Sequence, residues 1–223
     1  MLAIIQARMS STRLPGKVLM PLAGKPILSR VYDRLRASDQ LSEIVVSTSV
    51  STSDTLIYEY CIENSIPVHR GSLNDVVDRL LNCAEDRRAD HFVRISGDSP
   101  LIDSTLVDRA VTLQRETLCD LATNVQVRSF PKGQSVEVIR TESLGNAWQK
   151  MKLAADFEHV TRYFYAHPND FTIKNFVCED PIGDYQLSVD TRQDLQAIAA
   201  ILPKLSESFS WREAVASMQG EER

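Results

Sequence analysis

Three cations, Arg8, Arg13 and Lys17, fall within ten residues, directly after the apolar run of residues 2–5. No apolar periodicity accounts for them. Arginine offers forked donors, lysine a mobile point charge, and hydroxyls with backbone N–H groups fill the remaining acceptors of a polyphosphate. The same loop holds Ser10, Ser11, Thr12 and a Pro15-Gly16 turn. Composition leaves two readings open, a phosphate cradle or a solvated basic loop. The spacing is neither that of a Walker A loop nor that of a dinucleotide fingerprint. Two carboxylates also end apolar runs: Asp98 in Gly97-Asp98-Ser99-Pro100, and Asp190 in Leu187-Ser188-Val189-Asp190-Thr191. Such a pair suits a divalent cation held against phosphate oxygens, and Mg²⁺ takes one or two carboxylates in such sites. Each has an ordinary alternative. Gly-Asp-Ser-Pro is also a turn, and Asp190-Thr191 can cap a helix, with Thr191-x-x-Asp194 as a capping box.

The elements that must position these groups alternate between strand and helix. Residues 2–5, 43–48, 66–68 and 91–95 read as strands. Helices are predicted from Pro26 to about residue 37, from a cap at residues 51–54 to about 64, from a cap at Asn74 to about 84, and over 104–115. That β-α-β order predicts an α/β protein with a mainly parallel sheet, helices on both faces and right-handed crossovers. Ligands bind beyond the carboxyl ends of such strands, so the basic loop and Asp98 are predicted to share one rim. Further on, residues 121–124 and 135–139 read as strands around a Pro131-Lys132-Gly133 turn. Residues 142–152 and 156–166 read as helices, 171–173 and 185–189 as strands, 191–202 and 211–218 as helices, and 219–223 as a frayed tail.

The chain has 223 residues and a formal charge of −5, so the basic loop is a local feature of a mildly acidic protein. That argues against general nucleic-acid binding, which wants a net basic face, and fits cations concentrated on one small anion. Cys61, Cys83, Cys119 and Cys178 show no C-x-x-C spacing and sit among apolar neighbours, predicting buried reduced thiols. No signal peptide precedes the first strand and no apolar run approaches about 18 residues, predicting a cytoplasmic protein with no membrane partner.

One stretch also resembles a known family. Ile5-Gln6-Ala7-Arg8, Ser11-x-Arg13-Leu14-Pro15-Gly16-Lys17 and Leu22-x-Gly24-Lys25-Pro26-Ile27 resemble the opening motif of the sugar cytidylyltransferases, such as the CMP–Kdo synthetases and acylneuraminate cytidylyltransferases, and among them the spore-coat polysaccharide biosynthesis protein F type. The resemblance implies a three-layer, nucleotide-diphospho-sugar transferase-like (Rossmann-like) fold with a mixed, mainly parallel sheet. It implies that Arg8, Arg13 and Lys17 bind the triphosphate of CTP, that Ala7 lies where the backbone approaches the base, and that Asp98 and Asp190 hold Mg²⁺. Ser72, after Gly71, matches a residue near the cytosine and ribose. Ser96 stands where CMP–Kdo synthetases have a nucleotide-contacting glutamine, and Ser135 where many relatives have an aspartate. On the acceptor side the resemblance points to Asn124, Gln134, Glu137 and His159. Glu137, a charge inside an apolar strand, either lines that pocket or faces solvent at an edge. Asp78 and Arg79 either face the site or solvate their helix.

The expectation is a single domain, 1–223. It has a nucleotide-binding half (1–118), an acceptor-binding and dimerisation half (119–195) and C-terminal helices (196–223), and forms a homodimer as the resemblance implies. The expected activity is Mg²⁺-dependent transfer of CMP from CTP to a sugar or sugar-like acceptor with release of pyrophosphate, for surface polysaccharide or glycoconjugate synthesis. A sugar-nucleotide-dependent glycosyltransferase would want a paired-aspartate motif, whereas only Gly97-Asp98-Ser99 is present. A non-catalytic nucleotide-binding module need not keep both aspartates.

Overall fold

The computed structural model describes residues 1–179 and 182–221. Strand β1 (Leu2–Gln6) leads through the basic loop and a 3-10 turn (Lys17–Leu19) into a small hairpin, β2 (Pro21–Leu22) and β3 (Lys25–Pro26). There follow α1 (Ile27–Leu35), β4 (Glu43–Ser49), α2 (Thr55–Glu63), β5 (Val68–Gly71), α3 (Val76–Glu85), β6 (His91–Ser96) and α4 (Ser104–Thr117). The rest of the chain forms β7 (Leu121–Thr123), β8 (Glu137–Arg140), α5 (Thr141–Trp148), α6 (Ala154–Glu158), α7 (Arg162–Ala166), β9 (Ile173–Asn175), α8 (Arg192–Ile201) and α9 (Trp211–Glu221).

Seven strands make one sheet in the order β5-β4-β1-β6-β8-β7-β9. The first four are mutually parallel. Strand β8 runs against both β6 and β7, and β9 is parallel to β7. This is the mixed, mainly parallel three-layer arrangement expected from the sequence. The pleat explains the layers: Leu2 and Ile4 of β1 enter a core with α3, α5 and α7, while Ala3 and Ile5 enter a second core with α1, α2, α4, α8 and α9. Strands buried on both faces read as unbroken apolar runs, which makes them visible in the sequence.

Several boundaries differ from those the sequence suggests. The α3 cap is Asp75, whose carboxylate accepts from Asp78 N at 2.8 Å and from Trp148 Nε1 at 2.9 Å, while Asn74 is exposed. Strand β5 begins at Val68 rather than Ile66; Pro67 contributes only its carbonyl, to Val46 N. The helix expected over 156–166 is broken at His159–Thr161, where the Thr161 hydroxyl donates to Glu137 at 2.7 Å. Residues 185–189 are not a strand. Their backbone bonds go to loops: Tyr185 O and Leu187 N meet Lys132, and Val189 N donates to Asp98 O. Gln219 and Gly220 continue α9 rather than fraying, and residues 222–223 lie outside the described residues. All four cysteines are buried, as expected. Among the described residues, no helix is long and apolar enough to cross a membrane.

From β1 the chain winds outward to β4 and β5, then returns to β6 on the other side of β1. The loops leaving β1 and β6 therefore part company at the crevice between them, the switch point at which open α/β sheets bind ligands.

Candidate active site

The basic loop is closed on a single residue. Met9 O accepts from Ser11 N at 2.9 Å and from Gly16 N at 2.8 Å, while Met9 N donates to the carboxylate of Asp54 at 2.7 Å. Gly16 takes a φ of +73°, a region open to glycine at little cost, and this turns the chain into Lys17–Leu19. Asp54 is fully buried and also accepts from Ser49 N and Ser49 Oγ. From sequence alone, residues 51–54 suggest only a helix cap. Replacing Asp54 by alanine leaves buried N–H groups without acceptors. The expected cost is on the order of 3 kcal/mol, read from the urea unfolding midpoint, with a raised KM for nucleotide as the loop loosens.

The loop and two distant segments converge on one point. Lys17 Nζ donates to Asp98 Oδ2 at 2.5 Å and to Asp190 Oδ1 at 2.9 Å. Arg13 Nη2 lies 2.8 Å from the same Asp190 oxygen. The Lys17 side chain is 9% exposed, so this is a desolvated cation rather than a surface lysine. Burial pushes the Asp190 carboxyl up, but the Lys17 hydrogen bond, with the Lys17 and Arg13 charges, outweighs it and holds the group below the usual carboxylate range. Asp190 therefore stays ionised at neutral pH.

Local packing brings Asp98 and Asp190 there. Gly97 N donates to Gln6 O at 2.9 Å, and a Cβ on Gly97 would stand 3.0 Å from that oxygen and 3.1 Å from Ala7 Cβ. The glycine lets the β6 end lie against the β1 end. Asp190 arrives on a segment clamped by Val189 N to Asp98 O, 2.8 Å, and by the loop at Gly133. Thr191 does cap α8 in a capping box with Asp194, so the capping reading holds and leaves the Asp190 carboxylate free for the cleft.

Of the residues singled out in the sequence, Ala7, Arg8, Arg13, Lys17, Ser96, Asp98 and Asp190 line one cleft of about 240 Å³. Two carboxylates from separate segments meeting one cation within 2.9 Å form a donor set of the kind that fits a divalent cation. Ser72 is not in that lining; its hydroxyl accepts from Asp75 N and turns the chain into α3. Arg79 does not solvate its helix: it is fully buried, packed over Gly71, and donates to Ser72 O at 2.6 Å. Its Nε and Nη2 have no partner among the described residues, and burial brings its guanidinium down to about 10.

A second cleft of about 500 Å³ abuts the first at Ser96 and is lined by Ser135, Glu137 and His159 among others. Glu137 is 3% exposed on an interior strand, so the edge alternative is excluded. It accepts from Arg94 Nη1 at 2.5 Å and from the Thr161 and Tyr165 hydroxyls at 2.7 Å. Burial, then the Glu137 charge, raises the Tyr165 phenol well above its usual range, keeping it a donor. Arg94 Nε also donates to Gln6, so a half-buried polar row runs from β1 to the second cleft. Arg94 carries its own signal in the sequence, a cation inside the apolar strand His91-Phe92-Val93-Arg94-Ile95, which motif matching alone passes over.

Asn124 and Gln134 do not face either cleft. Both are buried, Asn124 bonding Gln134 O and Val136 N, and Gln134 bonding Asp103 N and Leu101 O. Their amides are spent on backbone, and so they hold the segments at 101–103 and 134–136 together. A larger groove of about 640 Å³ runs between α1, the start of α4 and the turn before α9. Its arginines Arg30 and Arg34 are spent on backbone carbonyls.

The sheet order, with a cleft at its switch point, defines an α/β protein of the Rossmann-like kind. The cytidylyltransferase family model matches residues 2–203, and the chain belongs to that family. It is 31% identical over 213 residues to the spore coat polysaccharide biosynthesis protein SpsF of Bacillus subtilis, covering 92% of this chain and 88% of SpsF. The structure of a cytidylyltransferase from Leptospira borgpetersenii superposes with a TM-score of 0.93 at 31% identity, covering 99% of this chain and 94% of that one. A CMP:2-keto-3-deoxy-manno-octonic acid synthetase complexed with CTP shares the fold, with a TM-score of 0.67 at 18% identity over 91% of this chain and 98% of that one.

Proposed function

We propose that this chain transfers CMP from CTP to a hydroxyl of a sugar or sugar-like acceptor, with release of pyrophosphate, in surface polysaccharide or glycoconjugate synthesis. The observation that carries the proposal is the meeting of Lys17, Arg13, Asp98 and Asp190 in one cleft that abuts a second cleft at Ser96. The acceptor hydroxyl oxygen attacks the α-phosphorus of CTP, its proton passes to water, and the bond from the α-phosphorus to the oxygen bridging to the β-phosphate breaks. The electron pair leaves with pyrophosphate.

Arg8, Arg13 and Lys17 bind the triphosphate and meet the charge that grows on the leaving group. Asp98 and Asp190 would hold Mg²⁺, which when bound supplies charge neutralisation and orientation of phosphate oxygens. Ala7 and Ser96 form the floor next to the base, and the acceptor rests in the cleft bordered by Glu137 and His159. Alignment and fixed charge carry the rate enhancement, and no protein nucleophile is needed. A second copy of the chain, contributed through the 119–195 half, completes the assembly in this proposal.

The test is calorimetric titration of CTP, with ATP, GTP and UTP as controls, with and without Mg²⁺, on wild type and Asp98→Ala. Pyrophosphate release is then followed across a panel of sugar acids and polyols. Mg²⁺-dependent binding of CTP, weakened at least about tenfold in Asp98→Ala, is the expected result. Absence of nucleotide binding, or turnover unaffected by the substitution, overturns the proposal.

A further inference from the structure

Arg8 does not stand free in the nucleotide cleft. Its guanidinium grips Glu158 with both terminal nitrogens: Nη2 lies 2.6 Å from Oε1 and Nη1 3.0 Å from Oε2. The pair is bidentate, about two-thirds shielded on both sides, and spans 150 residues of sequence. A polyphosphate that takes the Arg8 fork must therefore displace a carboxylate that already fills it.

Glu158 occupies a position with reach. It is the last residue of α6, and the next three residues, His159–Thr161, are the break before α7. Within that break, His159 and Thr161 line the second cleft, and Thr161 holds Glu137. A carboxylate at the nucleotide cleft is thus one peptide bond from the wall of the acceptor cleft.

A second arginine, Arg79, also feels the Glu158 charge. Arg79 is buried beside Gly71 with Nε and Nη2 unbonded among the described residues. After burial, Asp54 and Glu158 favour its protonation and Arg8 and Arg94 oppose it. Two arginines thus feel the charge of one carboxylate, and only Arg8 is bonded to it.

We propose that Glu158 is a positioning residue: an internal counter-anion that competes with the nucleotide's phosphates for Arg8 and, on displacement, reports nucleotide binding to the acceptor cleft through the His159–Thr161 turn. This rests on the nucleotidyltransferase proposal above. It requires that Glu158 weaken nucleotide binding while coupling the two clefts, a reciprocal free energy between sites.

The experiment is a double-mutant cycle on the full chain with CTP and Mg²⁺, read by calorimetry, with deuterium uptake at residues 159–161 as a second readout. Glu158→Gln is expected to bind CTP about two- to fivefold more tightly than wild type, the scale of a partly exposed ion pair. Arg8→Ala is expected to bind more weakly, and adding Glu158→Gln to it is expected to change nothing further. Without nucleotide, Glu158→Gln is expected to show the 159–161 uptake that wild type shows only with CTP, which decides the matter if Arg8→Ala binds too weakly to titrate. Unchanged or weaker CTP binding by Glu158→Gln, a tightening that persists without Arg8, or wild-type uptake in Glu158→Gln overturns the proposal. Failure of wild type itself to bind CTP overturns instead the nucleotidyltransferase proposal, and this one with it.

Discussion

Lys17→Met is expected to lower kcat/KM for nucleotidyl transfer by about a thousandfold, the scale on which a single positioned charge in a desolvated site acts. Methionine keeps the stem that packs in the wall and removes only the charge. What is lost is, among the described residues, the one cation bonded to both Asp98 and Asp190. Arg13 remains on Asp190, but its side chain is 65% exposed and it does not bond Asp98. The substitution also leaves two carboxylates facing each other with less compensation, so thermal stability should fall by on the order of 2–3 kcal/mol at neutral pH. Mg²⁺ should then raise the melting temperature of Lys17→Met by more than it raises that of wild type. Activity within tenfold of wild type, with the melting temperature unmoved, would mean that the meeting of these three side chains has no catalytic weight.

The second large effect is expected at Gly133, a residue with no side chain of its own. Its φ is +92°, and a Cβ there would stand 2.6 Å from both Leu187 C and Ser188 N, atoms of backbone that cannot rotate away. These are the residues that deliver Asp190. Gly133→Ala should therefore force the 187–190 segment off its seat, costing about 3 kcal/mol or more of stability and about a hundredfold in kcat/KM, since small misplacements of a reacting constellation are costly. Gly24→Ala is the matched control. Gly24 has a φ of +84°, and a methyl there would meet nothing within 4 Å, so it carries the backbone strain without the collision. That control should lose only about 1 kcal/mol and keep its activity. Equal effects at the two glycines would mean that strain alone, not the seating of Asp190, is at issue.

How much of the site is legible in the sequence follows from the range of the forces involved. Arg8, Arg13 and Lys17 announce themselves because cations crowded after a buried strand have no packing explanation, and Asp98 because it follows a glycine at a strand end. Thr191 and Asp194 are readable as a capping box because that motif is local, its hydrogen bonds closing over three residues. The parts played by Asp54 and Glu158 escape because their partners are settled by tertiary packing: Asp54 bonds across 45 residues and Glu158 across 150. Residues 185–189 alternate like a strand, yet their partners are loops, and pairing partners are not written in periodicity. Asn124 and Gln134 bond backbone rather than open onto either cleft, since a sequence position does not say which groups an amide serves.

The centre joined by Lys17 also has a history in time. Its two carboxylates lie 81 and 173 residues further along the chain. Contacts of such separation close late, because the intervening loop entropy must be met first. During synthesis, β1, β4, β5 and β6 can pair while the polypeptide that carries Asp190 has yet to emerge, leaving Lys17 with a single acidic neighbour. The constellation becomes whole only when the 187–190 segment has docked under Gly133 and α8 has been capped behind it. Nucleotidyl transfer is in this sense a report on the completeness of folding, withheld from every partly formed chain until its far end is in place.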